Sequence, residues 1–293
     1  MQDLKDYIHS KRPNLSNSSL ITYTSILKNL YHKVFGNDID FHKFDDAQSI
    51  LHYLQDMPPN KRKTILSALV IITDNKQYRD LMMEDVQQYN KEILRQEKTP
   101  EQQANWVNGD EIKEIYDELK RNAELLYKKK TLTPSDLQQI QNYIIISLLG
   151  GIYIPPRRSK DYVDMVTKDI DRNKDNYIEK NKMYFNSYKT AKTYGCQIID
   201  IPRALQTILK KWVNINPTKT LLFDTNMNAL SSVKLNQRIN KIFHEKKVSV
   251  NALRHSYLTD KYKQHSEIDK ELSRDMTEMG SSRGMADTYM KLN

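Results

Sequence analysis

Three segments of this chain concentrate the side chains that could do chemistry. The first is Pro155-Pro156-Arg157-Arg158-Ser159-Lys160-Asp161-Tyr162-Val163-Asp164-Met165, leading into Asp169-Ile170. The second is Ser249-Val250-Asn251-Ala252-Leu253-Arg254-His255-Ser256-Tyr257-Leu258-Thr259, and the third runs from Met279-Gly280-Ser281-Ser282 to Tyr289. Planar, permanently charged guanidinium groups can hold two oxygens of one anion. A phenol with a pKa of about 10 can lose its proton beside such cations, and an amine whose pKa they lower can give a proton away. These types suit cleavage of a phosphodiester without metal: cations neutralise the non-bridging oxygens, a nucleophile attacks in line, and an acid protonates the leaving oxygen. The single cysteine, Cys196, excludes an internal disulfide and a Cys-based zinc site, and the seven scattered histidines show no metal-ligand spacing.

The elements that must position these residues read as two domains. The first hundred residues are all helical. Asn17 and Ser18 cap a helix with apolar positions Leu20, Tyr23, Ile26, Leu27, Leu30, Tyr31 and Val34, ended by Gly36. Ile50 to Leu54 marks a second helix, stopped by Pro58-Pro59. Asn60 precedes a third with Ile65, Leu66, Leu69 and Ile72, and Leu81 to Leu94 forms a fourth. The boundaries are a helical domain over 1–95, a polar linker over 96–108 and a second domain over 109–293. In the second domain Asp110 caps a helix through Leu126, Thr133-Pro134-Ser135-Asp136 starts another to Leu149, and Gly150-Gly151 ends it. The period then changes to two. Tyr177-Ile178, Met183 to Tyr188 and Gln197 to Ile201 read as strands, the last two joined by a turn around Thr190 to Gly195. Helices resume with Leu205, Ile208, Leu209 and Trp212 on one face, then Leu235, Ile239, Ile242 and Phe243. The fold class is mainly α (α+β), with a small antiparallel β-sheet in the second domain.

With 293 residues, 38% hydrophobic and 28% charged, and a mean hydropathy of −0.75, the chain reads as a helix-rich globular protein. Its longest apolar run, Tyr143 to Leu149, is too short to span a membrane. The N-terminus lacks the basic start and apolar stretch of a secretory signal, so an intracellular location is expected, in cytoplasm or nucleus of a host, not secreted. The formal charge is +9. Residues 1–98 carry 14 basic and 13 acidic side chains, so the second domain holds nearly all of the excess, as a polyanionic partner would favour. Asp171, Asn173 and Asp175 resemble the start of a calcium loop, but Asn176 replaces the required glycine and Lys182 the bidentate twelfth ligand. Lys128-Lys129-Lys130 reads as a solvated helix end.

Together the three segments resemble the tyrosine recombinase (phage integrase) family over about residues 105 to 293, and the N-terminal unit more loosely resembles that family's core DNA-binding domain. Arg158, Asp161 and Asp169-Ile170 fit the register of the family's first box. Asn251-Ala252-Leu253-Arg254-His255-Ser256 matches its His-x-x-Arg-His box except at the first histidine. Lys189, with Lys192 the alternative, takes the place of the family's hairpin lysine. Tyr289 lies 35 residues after Arg254, close to the usual interval to the nucleophilic tyrosine. The resemblance implies that Arg158 and Arg254 clamp the phosphate, Tyr289 forms a covalent 3′-phosphotyrosine, and Lys189 protonates the 5′-oxygen. Another strand's 5′-hydroxyl then rejoins the DNA without ATP, metal or any other cofactor. Tyr257 and Tyr262, on the predicted helix of Arg254, are expected to pack in the core. The implied partner is double-stranded DNA, clamped between two domains joined by the flexible linker and gripped also by Lys61, Arg62 and Lys63, with a homotetramer on DNA. No membrane and no small-molecule substrate are implied. The Gln-Lys-Thr-Pro segment, Asn105-Trp106 and the Lys-Thr hairpin resemble recombinases of large DNA viruses and their mobile elements, which implies genome integration or resolution.

Two positions depart from the family pattern. Asn251 can hydrogen-bond a phosphate oxygen but cannot act as a base at neutral pH. Gly280, or Ser281 with a one-residue gap, stands where the family has His or Trp, leaving His255 and His265 as candidates for that contact. Only Met290 to Asn293 follow Tyr289, so subunit contacts are expected to use other surfaces or the tyrosine segment itself. Two alternative readings stay open: a type IB topoisomerase, whose arginine-to-tyrosine interval is usually longer, and a DNA-binding protein that keeps the fold without catalysis.

Overall fold

The computed structural model describes residues 3–244 and 246–289, apart from the side chains of Asp287 and Thr288. The four residues after Tyr289, on which the expectation about subunit contacts turned, lie outside this range. The chain divides into two compact units, Met1–Lys98 and Thr99–Asn293. The first holds α1 (Leu4–Lys11), α2 (Asn17–Val34), a 3-10 turn (Phe41–Asp45), α3 (Ala47–Leu54), α4 (Pro59–Ile72) and α5 (Lys76–Leu94). The apolar period of α2 buries Leu20, Leu27, Leu30 and Tyr31. Its cap is Ser16 rather than Asn17 or Ser18: the Ser16 hydroxyl accepts the Ser19 N–H at 3.2 Å. Helix α1 shows no period in the sequence because Leu4 and Ile8 are its only buried residues. Helix α5 begins ahead of its apolar pattern, where Asn75 accepts the Gln77 N–H at 2.9 Å.

The boundary between the units, after Lys98, falls within the segment 96–108 read as a linker, and from Thr99 on that segment is structured. Pro100–Ala104 forms α6, opened by a capping box between Thr99 and Gln102. From Asn105 on, the chain is tied to the loop and helix that carry Arg254. Asn105 Oδ1 accepts the Lys247 N–H at 2.7 Å, and the Trp106 carbonyl accepts from Lys246 Nζ at 2.9 Å. The buried Val107 accepts the Ser256 hydroxyl through its carbonyl, and Gly109 N–H donates to Asp260 at 2.7 Å. Polar composition hid this strap, because its partners lie some 140 residues away.

Helix α7 (Gly109–Leu126) is capped by Asn108, not Asp110, in a box with Glu111. Helix α8 (Pro134–Leu149) is buried on every side along Tyr143 to Leu149, which accounts for the longest apolar run. Each such Ile or Leu removed from water contributes about 1.5–3 kcal/mol, so α8 is the spine of the unit. Its buried polar residue Gln141 pairs with Phe223 like a strand, donating to the carbonyl and accepting the N–H, both at 2.8 Å.

After α9 (Ser159–Val163) come β1 (Met165–Val166), β2 (Asn176–Glu179), β3 (Lys182–Phe185), α10 (Ala191–Tyr194) and β4 (Gln197–Asp200). Among the described residues they form one sheet in the order β1-β2-β3-β4. The sheet is mixed rather than antiparallel, since β1 runs parallel to β2. Two residues are too few to display a period, so β1 left no trace in the sequence. Ile178, Met183 and Ile199 pair across the face turned to the core. The connection expected to be a simple turn contains α10, which sets β3 ending at Phe185 rather than Tyr188.

Helix α11 (Arg203–Ile215) buries Leu205, Ile208, Leu209 and Trp212, as its spacing predicts, and Trp212 stacks on Phe223 at 5.7 Å. Helices α12 (Ser232–Ile242) and α13 (Val250–Glu278) follow, then a 3-10 turn (Arg283–Met285) and α14 (Ala286–Tyr289). No described helix is long and apolar enough to cross a membrane.

Helix α13 is seated on α8 at Gly151, whose φ is +74°. A Cβ there would lie 2.5 Å from Tyr257 Cδ2. Gly151→Ala therefore meets both a strained backbone and a clash, and is expected to cost about 1–3 kcal/mol. Urea unfolding followed by tryptophan fluorescence checks this, because Trp106 and Trp212 both lie in the second unit; an unchanged midpoint would contradict it.

Candidate active site

The sequence places Arg157 and Arg158 at the entrance of α9, where Pro155 and Pro156 keep the chain extended until Ser159. The two arginines meet different fates. Arg158 is the exposed N-cap residue, whereas the Arg157 side chain is 16% exposed and turned inward. Arg157 Nε donates to Asp161 Oδ2 at 2.8 Å, one helical turn on. The helical period of α9 buries Asp161, and its other oxygen, Oδ1, has no hydrogen-bond partner.

Arg254 comes from the first turns of α13, which Ser249 caps by accepting the Ala252 N–H at 3.2 Å. Its Nη1 donates to Asn251 Oδ1 at 3.1 Å, so the residue that replaces the expected histidine orients this guanidinium. Arg254 is half-buried. Burial first, and then the like charges of Arg158 and Arg157, push its pKa down, while Asp161 opposes them. Burial raises the Asp161 pKa, and Arg157, Arg158 and Arg254 each pull against that rise. The structure thus brings Arg158, Arg254, Asn251 and Asp161 together, and adds Arg157. Three guanidiniums around one carboxylate leave the cluster net positive, and an anion bound there would relieve their mutual repulsion.

Lys189 is exposed in the turn directly after Tyr188, and Lys192 is exposed on α10. The Tyr188 hydroxyl closes this loop on the Gly195 carbonyl at 2.8 Å. Tyr289 makes no such described contact. It is 57% exposed at the end of α14, and no described hydrogen bond or ion pair joins it to Arg158, Arg254 or Lys189. After α13 the chain turns back as far as an ion pair of Arg283 with Asp269 at 2.9 Å. At 1.5 Å per residue, Asp269 lies about 22 Å along the helix from Arg254.

Gly280 and Ser281 form the stop of α13. The Gly280 N–H donates to Thr277 O at 2.9 Å and the Ser281 N–H to Met276 O at 2.8 Å, with Gly280 at φ +72°. His255 is exposed on α13, and the His265 ring lies 6.1 Å from that of Tyr262. Tyr257 lies with its ring on Gly151 but is only partly buried, its hydroxyl accepting from Lys261 Nζ at 3.0 Å, and Tyr262 is 43% exposed, so neither packs in the core as expected.

In the first unit only Lys61 of the expected basic trio is an exposed cation. Arg62 turns inward, with Nε and Nη2 on the buried Asp85 at 2.9 and 2.7 Å and Nη1 on the Gln55 carbonyl. That pairing raises its pKa further. Lys63 lies over the Tyr89 ring, 2.8 Å from its centroid. Sequence reasoning missed Arg157, Asn176 and Gln197, whose joint role is described below. The spacing of Arg157 and Asp161 at i and i+4 was the one signal available for them.

No protein-family model and no curated protein matches the chain. Among solved structures the chain is similar to a lambda integrase dimer bound to a COC′ core site, at 16% identity, covering 92% of this chain and 73% of that one, with a TM-score of 0.45. It is similar to XerH site-specific recombinase bound to palindromic difH substrate in a post-cleavage complex, at 14% identity over 89% of this chain and 84% of that one, with a TM-score of 0.44. XerA recombinase gives 13% identity over 98% and 92%, with a TM-score of 0.38. At these scores the likeness is partial, and the chain's own side chains carry the functional reading.

Because Asp161 has a raised pKa, the folded state holds its proton more tightly than the unfolded chain does. Its contribution to stability is full below the unfolded pKa and is lost as pH rises through the folded one. The stability of the wild type minus that of Asp161→Asn is therefore expected to fall as pH rises above about 3.9, the unfolded value. Urea unfolding at stepped pH measures it, and a difference that grows with that rise would show that the Arg157 pairing outweighs burial.

Proposed function

We propose that the chain is a DNA strand-transfer enzyme of the tyrosine recombinase type, with Arg158 and Arg254 as the phosphate clamp. The observation that carries this reading is the net-positive cluster of Arg158, Arg254 and Arg157 around Asp161, with Asn251 on Arg254. In the proposed step the Tyr289 hydroxyl gives its proton to water and bonds to phosphorus. The bond from phosphorus to the 5′-oxygen breaks, and that oxygen takes a proton from Lys189. Reversal by the 5′-hydroxyl of another strand rejoins the DNA, so neither metal nor ATP enters the balance. Asn251 supplies no base, which favours slow chemistry. The excess positive charge of the second unit would add a sequence-independent, salt-sensitive share of the DNA affinity. A tetramer on DNA and a setting in viral genome integration belong to this proposal.

Tyr289 must reach the clamp for this chemistry. No described hydrogen bond or ion pair joins Tyr289 to Arg158 or Arg254, and the segment before it is held to α13 by Arg283 on Asp269. The same observation favours a second reading, a DNA-binding protein without catalysis.

Covalent capture on nicked duplexes from a random-sequence pool decides between them. The wild type is expected to stay on DNA through SDS while Tyr289→Phe does not. If neither is captured although both bind DNA equally, and a known recombinase is captured in parallel, the binding-protein reading stands. Capture of plasmid DNA with relaxation at any sequence would instead indicate a topoisomerase.

A further inference from the structure

Arg157 makes contacts on both flanks of the loop that carries Lys189 and Lys192. Its Nε is held by Asp161 on α9, and its Nη1 donates to Gln197 Oε1, at the first residue of β4, at 2.9 Å. Its guanidinium lies 4.0 Å from the ring centroid of Phe185, the last residue of β3, and 5.3 Å from that of Tyr188. Residues 186–196 thus leave the sheet and return to it against one side chain. Asn176 adds a second tie between α9 and the same loop. Its Nδ2 donates to the Asp161 carbonyl at 3.0 Å and to the Ser187 carbonyl at 2.8 Å, and its Oδ1 accepts the Ser187 N–H at 2.8 Å.

We propose that Arg157 is a positioning residue, holding the loop of Lys189 in register with the carboxylate around which Arg158 and Arg254 gather. The proposal rests on the strand-transfer reading above. A buried guanidinium is costly unless its donors are satisfied, and Arg157 uses Nε and Nη1 within the fold, where they cannot bind phosphate. Phosphate clamp and proton donor come from separate elements, α9 with α13 and the β3–β4 loop. Arg157 is the side chain that touches both α9 and that loop at each end. Its loss is therefore expected to misplace the proton donor while leaving the clamp arginines in the chain.

Two DNAs separate these roles: one with the ordinary 5′-oxygen at the cleaved bond, the other with sulfur in its place. A thiol has a pKa of about 8.5, so a thiolate departs without an acid. Arg157→Ala is expected to cleave the oxygen-linked DNA at least about 100-fold more slowly than the wild type, and the sulfur-linked DNA within about tenfold of it. Gln197→Leu, which removes only the loop contact, is expected to show the same selectivity with a smaller loss. Hydrogen exchange should rise in residues 186–196 in both variants, with α8 still protected, which also reports that they are folded. Equal slowing on both DNAs, or unchanged exchange in 186–196, would overturn the role of Arg157. A wild type that cleaves neither DNA would overturn the strand-transfer reading, and exchange alone would then show whether Arg157 holds the loop.

Discussion

The carboxylate of Asp161 sits at 2% exposure with three guanidiniums acting on it, and much of the second unit is arranged around that burial. A buried carboxylate needs cations near it, and guanidiniums gathered in one place need a negative charge between them. Arg157 satisfies one oxygen directly. Arg158 and Arg254 act through the field, remain partly open to solvent, and repel each other. The arrangement holds positive charge that the fold itself does not neutralise, which is the preorganised electrostatics that phosphate chemistry uses.

Helix α13 can present Arg254 to this cluster because it is fixed at its start from two sides. The strap of Asn105 to Gly109 ties down the loop before α13 and its first turns through hydrogen bonds to Lys246, Lys247, Ser256 and Asp260. On the other side Tyr257 lies over Gly151 at the end of α8, the helix buried deepest in the core. Beyond its first turns the helix leaves Leu258, Tyr262 and Ile268 uncovered, and Met276 is its next buried residue. The same helix therefore carries Arg254 near its start and holds the segment before Tyr289 through Asp269, some 15 residues further on.

Strongly periodic stretches were legible from the sequence: α11 buries the four residues its spacing named, α2 buries four of its seven with Tyr23, Ile26 and Val34 partly covered, and the three longer strands begin close to where period two placed them. Two-residue β1, α1 with its two buried side chains, and α10 inside the hairpin connection carry too little pattern to read. The order of the strap within the linker segment was not legible, because its partners are distant in sequence. Residue types also concealed individual roles. Arg62, in a basic run, turned to a buried aspartate, and Gly280 serves the backbone of a helix stop. Arg158, Arg254, Asn251 and Asp161 were named by pattern, and the charges of both arginines act on Asp161 in the fold, whereas the contacts of Arg157, Asn176 and Gln197 are tertiary and left little trace in the sequence.

The central claim is that Arg158 and Arg254 share one DNA phosphate. A structure of the Tyr289→Phe chain on duplex DNA tests it most directly. The account predicts one backbone phosphate with non-bridging oxygens within hydrogen-bond reach of both guanidiniums, and the Lys189 ammonium facing its 5′-oxygen. Duplex bound with Arg158 and Arg254 turned to Asp161 or to solvent, and no phosphate between them, would contradict it.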